Sequence, residues 1–240
     1  MLSINGAYGE GGGQIIRTSL ALSAILNQPV RLQNIRANRQ NPGLAAQHLT
    51  AVKAAAMICD ASLTGAELES TTLTFEPRSR PVPGDYQFDV ADAREGGSAG
   101  AATLVLQTIL LPLAQAAGFS TVTVKGGTHV AWSPSIHYFN EVYLPALATL
   151  GFQADANLER WGWYPAGEGE IRLTVPGRNA AEGAAPAQAV SWRERGPLRQ
   201  ITGLAVASSL PAHIAQRICN RTINLLAQAD LPAQITPQRV

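Results

Sequence analysis

Between Gly9 and His48 the chain gathers residues suited to holding an anion. Gly9-Glu10-Gly11-Gly12-Gly13-Gln14 falls between a strand-like start and a helical pattern. There, free backbone amides and the positive end of the helix can approach a phosphate closely. Arg17 follows on the same helix, and Arg36 and Arg39 fall in the loop after the next strand. Guanidinium groups offer paired donors and a permanent charge to phosphate oxygens. Gln47 and His48 open the next helix in Pro42-Gly43-Leu44-Ala45-Ala46-Gln47-His48. A histidine so placed can donate to a phosphate or move a proton. From Met1 to Lys53 the cations Arg17, Arg31, Arg36, Arg39 and Lys53 face a single acid, Glu10. An anionic ligand is best accommodated in this part of the chain. Each feature also has a plainer reading: a tight turn, solvated arginines, a packed histidine. For Arg31, and for most arginines after residue 155, the solvated reading is preferred.

A second glycine-containing loop, Gly126-Gly127-Thr128-His129-Val130-Ala131-Trp132-Ser133-Pro134, also leads into a helix. Trp132 is there either to stack on a base or ribose or to cap the core. His137 occupies the place that His48 holds earlier, and for it a packing role is favoured. The helix around Ala101 to Leu110 is almost wholly apolar, so it belongs between other elements. Its conspicuous polar member, Gln107, needs a partner, backbone or ligand. No metal-ligand spacing, G-x-x-x-x-G-K-[ST] loop or G-x-S-x-G elbow occurs.

Two similar units position these residues. Glycine loop, helix (Gln14 to Leu26), strand (Val30 to Ile35), helix (Gly43 to Cys59) and alternating strands such as Thr71 to Phe75 form the first. Glu95-Gly96-Gly97-Ser98-Ala99-Gly100 begins the same succession again, with Ala101 to Ala114, Thr121 to Val124, Ser135 to Leu150 and Glu170 to Val175. The pattern predicts an α+β fold of tandem βαβαββ repeats, duplicated over about 1–82 and 84–176. Pro- and Gly-rich sequence from Val175 to Ala189 reads as a linker or long loop. Beyond it, Leu198 to Ser208 reads as a strand and Pro211 to Gln228 as a helix, and the tail from Pro232 ends with no closing element. The net charge is +1 and 46% of residues are apolar, an ordinary globular composition. The two cysteines, Cys59 and Cys219, sit in separate helical runs, which favours buried thiols in a reducing compartment. No basic leader or membrane-length apolar run is present, so the expected setting is cytoplasmic with no membrane partner.

Five phrases, in order from about residue 3 to 175, resemble RNA 3'-terminal phosphate cyclases. They are Gly9 to Arg17 (GEGGGQIIR), Arg36 to Leu44 (RANRQNPGL), Gln47 to Ala55 (QHLTAVKAA), Gly97-Ser98-Ala99-Gly100 with Thr103 to Thr108, and Gly162 to Gly167 (GWYPAG). The resemblance implies a large cyclase domain over 1–182, holding the first two repeats, and the start of a smaller inserted α/β domain over 183–240, with the third repeat absent. It implies a ligase-class enzyme that uses ATP and Mg2+ or Mn2+ to convert an RNA 3'-terminal phosphate to a 2',3'-cyclic phosphate through adenylylated intermediates.

Carried over motif by motif, Glu10, Arg17, Arg36, Arg39 and His48 form the phosphate and catalytic pocket, and Gln107 and Pro134 contact the adenosine of ATP. The family's covalent histidine lies in the third repeat, and none of the four histidines here matches it. His213 falls on the insert's helix. The resemblance therefore implies a C-terminally truncated member, impaired in activity and prone to self-association through uncovered apolar surface. The alternative is a non-catalytic cyclase-like protein that binds RNA or acts in ribosome assembly. An enolpyruvyl-type transferase built from similar repeats fits the fold but not the matched phrases.

Overall fold

The computed structural model describes residues 1–178 and 189–240. In the first repeat β1 (Leu2–Asn5) and β2 (Val30–Gln33) are parallel, so a crossover must join them, and α1 (Gly13–Leu26) supplies it. After α2 (Ala46–Ile58) come β3 (Ser62–Thr64) and β4 (Leu73–Glu76), both antiparallel to their neighbours, giving the order β1-β2-β4-β3. The second repeat has β5 (Asp85–Asp89), a 3₁₀ turn (Ala91–Ala93), α3 (Ala102–Ala114), β6 (Phe119–Gly126), a broken helical stretch, β7 (Asp155–Arg160) and β8 (Gly169–Pro176). Its order, β5-β6-β8-β7, and its parallel and antiparallel pairings repeat the first sheet.

The period-2 sequence patterns decide which face of each strand is covered. Val30 and Leu32 on β2, Leu73 and Phe75 on β4, and Ile171, Leu173 and Val175 on β8 are buried, while Arg31 and Arg172 between them are exposed. Each large side chain fully buried this way contributes about 1.5–3 kcal/mol. Helices α1, α2 and α3 pack on one another, and the buried residues of both repeats form one continuous core. Almost every residue of α3 is buried, as its composition demands, and Gln107 is half-buried among them. Parallel strands followed by helices leave their connecting loops at one edge. The loops after β1, β2, β5 and β6 thus lead into the N-terminal ends of α1, α2, α3 and the helical stretch after β6.

Three sequence expectations change. The helix expected from Gly43 begins at Ala46, because Gly43 has φ +78 and Ala45 is extended. The helix expected over Ser135 to Leu150 is interrupted: α4 (Ile136–Tyr138), a π segment (Phe139–Tyr143) and α5 (Leu144–Thr149). Pro145 has no amide to donate backwards, and the wider π turn accommodates the missing bond. The tail does close: β10 (Ala233–Arg239) runs parallel to β9 (Ile201–Ala207). Its sequence AQITPQR hides this, since an edge strand tolerates Pro237 and polar residues on its open side.

The chain divides into two compact units, Met1–Val190 and Ser191–Val240. The expected boundary at 182/183, and most of the linker called over 175–189, lie outside the described residues. In the second unit β9 and β10 are joined by α6 (Ala212–Ala227), which buries Ala215 and Cys219, and Cys219 Sγ lies 3.1 Å from the Ile235 carbonyl. Both cysteines are buried and unbridged. Among the described residues no helix is long and apolar enough to cross a membrane.

Candidate functional site

His48 is the third residue of α2 and is buried to 5% exposure. Its Nδ1 accepts the Ala45 amide at 3.2 Å, an amide that the helix itself cannot satisfy. That bond fixes the tautomer: in the neutral ring the proton sits on Nε2. Nε2 faces the glycine loop, where a side chain at Gly13 would collide with it and come within 3.1 Å of Arg17 Nη1. A side chain at Gly12 would lie 3.3 Å from Arg39 Nη2. The missing side chains at Gly12 and Gly13 thus let the His48 ring and the Arg17 and Arg39 guanidinium groups pack closely against the loop backbone.

Arg17 is held from two sides, by Nε to Gln107 Oε1 at 3.2 Å and by Nη2 to Gln14 Oε1 at 2.8 Å. Burial lowers its pKa from the usual value, though an arginine stays charged. Arg36 adopts φ +53 and donates from Nη1 to the Gly43 carbonyl at 2.7 Å. Its pKa is also lowered, by burial and then by the Arg39 charge. Burial first, then the Arg36 and Arg17 charges, bring His48 down to about 3, so it is neutral near pH 7. Arg39 pairs with Glu10 at 3.4 Å on the open side of the loop. Among the described residues neither Arg17 nor Arg36 has a carboxylate partner. Two fixed positive charges and a neutral N–H donor gathered against a glycine loop form a group suited to an anion.

Gln107 finds its partner in Arg17, and it also lies beside Tyr143, whose pKa burial raises. Pro134 is bound through its carbonyl, which accepts Thr103 Oγ1 at 2.8 Å. Thr103 and Gln107 stand one turn apart on α3, so one helix face connects Pro134 to Arg17. Gln47 reaches across the repeats: its Oε1 accepts the Ala101 amide at 2.9 Å, and the missing side chain of Gly100 permits the approach. All seven residues singled out thus lie on the glycine-loop edge or on α3 behind it. A divalent cation would find the Glu10 carboxylate there, which fits an ion held by one carboxylate plus phosphate oxygens.

Two features of the second repeat depart from the sequence reading. Trp132 does not cap the core: it has φ +64 and its side chain is fully exposed. His129 and His137 share a 2.8 Å contact between Nε2 and Nδ1, with His129 stacked 4.5 Å from Trp161. Burial, then His137, lowers His129 to about 4. A packing role was favoured for His137, on α4, and its contacts with His129 and Trp161 are of that kind; Trp161, which follows β7, was not singled out. His213 is exposed on α6.

The family profile described as RNA 3'-terminal phosphate cyclase matches residues 8–229. Proteins named RNA 3'-terminal phosphate cyclase are similar throughout. The one from Gloeothece citriformis is 56% identical over 239 residues, covering 100% of this chain and 67% of its own length. That from Methylococcus capsulatus is 56% identical over 238 residues, covering 99% and 64%. That from the archaeon Archaeoglobus fulgidus is 40% identical over 235 residues, covering 98% and 67%. The chain thus spans about two thirds of the length of these relatives.

Proposed function

The chain belongs to the RNA 3'-terminal phosphate cyclase family, and on that footing we propose that its first unit grips the 3'-terminal phosphate of an RNA beside the glycine loop, with Arg17, Arg36 and His48. The observation that carries this reading is the pair of arginines without carboxylate partners beside a neutral, buried His48. In the overall reaction ATP would activate the 3'-phosphate by adenylylation. The neighbouring 2'-hydroxyl would then attack phosphorus and AMP would leave, giving a 2',3'-cyclic phosphate. Attack within one nucleotide gains from proximity, provided the phosphate is held still.

Each residue has a part in that holding. Arg17 and Arg36 neutralise phosphate charge, and the His48 Nε2–H donates without adding a charge of its own. Arg39 and Glu10 close the outer side. Gln107 positions Arg17, and together with Pro134 it would border the adenosine of ATP. A magnesium or manganese ion would supply charge neutralisation at phosphate oxygens, with Glu10 as its protein carboxylate. By the family resemblance, none of the four histidines takes the place of the family's covalent histidine. Incubation with α-labelled ATP and magnesium is expected to leave these 240 residues unlabelled, whereas an acid-labile, alkali-stable adduct would identify a nucleophilic histidine here. A cytoplasmic setting and self-association complete the proposal.

The reading is tested by saturation binding of RNA ending in a 3'-phosphate against the same RNA ending in a hydroxyl. Loss of one charge-assisted contact is worth about 1.5–3 kcal/mol, so the phosphate should bind at least about tenfold more tightly. Equal affinities would remove the basis for the proposal.

A further inference from the structure

A cleft of about 300 Å³ shares Arg36 with the proposed phosphate site but is otherwise lined by residues that the reading above does not use. Arg36 forms one wall and Arg94 another. The two arginines come from different repeats, Arg36 from the loop after β2 and Arg94 from the end of the 3₁₀ turn after β5. Pro42 and Leu68 give the cleft an apolar part, and Ala46, the first residue of α2, is also in its lining, with an amide that has no carbonyl one turn behind it. Glu69 lies at the rim. Its backbone is locked against Gly43, where any side chain would collide.

Its composition selects an occupant. Two guanidinium groups and a helix-end amide call for one phosphate group, and the apolar wall calls for a flat or ribose-like surface beside it. Glu69 would repel a second phosphate but can accept from a hydroxyl. A volume at the small end of ligand pockets suits one nucleotide rather than a longer segment. Arg36 is shared: it lines the cleft, its guanidinium is anchored to the Gly43 carbonyl, and it belongs to the proposed phosphate site as well.

We propose that this cleft is the subsite for the penultimate nucleotide of the RNA, with Arg94 gripping the phosphodiester that joins it to the terminal nucleotide. The inference rests on the terminal-phosphate reading, which fixes the end of the strand one nucleotide away. Arg94 thereby makes the site read a strand end and not a free nucleotide. Its side chain is exposed and makes no ion pair among the described residues, and the bonds around it, Arg94 N to Ala91 O and Gly97 N to Arg94 O, are backbone bonds that survive substitution.

The test is equilibrium binding, without ATP, of uridine 3'-phosphate, of the dinucleotide UpUp and of UpU, to the full chain and to its Arg94→Ala and Leu68→Glu variants. UpUp should bind at least about tenfold more tightly than uridine 3'-phosphate, the worth of one charge-assisted contact. That ratio should fall to near one in Arg94→Ala, and in Leu68→Glu by like-charge repulsion. A ratio near one in the unaltered chain, or a ratio unchanged by both substitutions, overturns the subsite. If UpUp binds no better than UpU, the terminal-phosphate reading fails instead. Failure of all three probes to bind overturns both.

Discussion

Gly13, His48 and Arg17 constrain one another closely enough that single atoms matter. A Gly13→Ala methyl would displace the His48 ring and the Arg17 guanidinium. Overpacking of this kind costs about 1–3 kcal/mol in stability. It should also remove the preference for 3'-phosphate over 3'-hydroxyl ends, which a binding assay beside a thermal melt would register. His48 carries a pH signature as well. Its folded pKa, about 3, is below the usual 6.5, so at intermediate pH the unfolded chain binds the extra proton and the folded chain does not. Stability from this group is complete above pH 6.5 and is lost as pH falls toward 3, with a slope of at most about 1.4 kcal/mol per pH unit. His129, lowered to about 4, adds a similar loss over pH 6.5 to 4. Urea midpoints between pH 7 and 4 should therefore fall less steeply in His48→Gln than in the parent chain. The clustering of glycines and cations pointed to Arg17, Arg36, Arg39 and His48, and the family resemblance added Glu10. The Ala45 amide that sets the tautomer was not legible in the sequence, since it depends on where α2 begins.

At the scale of elements, α3 is the support on which both halves of the site rest. Its face carries Gln107 toward Arg17 and Thr103 toward Pro134, and its other residues are almost all buried. Amides of α3 should accordingly be among the slowest to exchange with deuterium, and those of β10 at its exposed edge among the fastest of the strands. Gln107→Leu should leave the fold intact yet free the Arg17 guanidinium, weakening 3'-phosphate binding by about tenfold for one lost charge-assisted bond. The continuous apolar run of α3 and the alternation in β2, β4, β6 and β8 made these elements readable. Where neighbours decide the outcome, the sequence misled. The helix expected over 135–150 is interrupted by a π segment next to Pro145. The tail, read as ending without a closing element, forms β10 despite Pro237. Of the two readings open for Trp132, stacking on a base or ribose and capping the core, full exposure removes the second.

Across the whole molecule, each unit is compact and built from parallel strands joined by helices, yet α6 leaves Ile218 and Leu225 nearly half exposed. Apolar side chains so placed on one amphipathic helix favour association. Light scattering should show species larger than one chain, and substitution of both residues by lysine should reduce them. The division into repeats was readable from the recurring glycine loops. The most direct measurement of the central claim follows the His48 ring by nitrogen NMR while RNA ending in 3'-phosphate, and then in 3'-hydroxyl, is added. Phosphate-ended RNA is expected to shift the Nε2–H resonance and to raise the His48 pKa above about 3, as an anion beside it must, with the hydroxyl-ended strand doing neither. Tight binding of phosphate-ended RNA that leaves His48 unmoved would contradict the account.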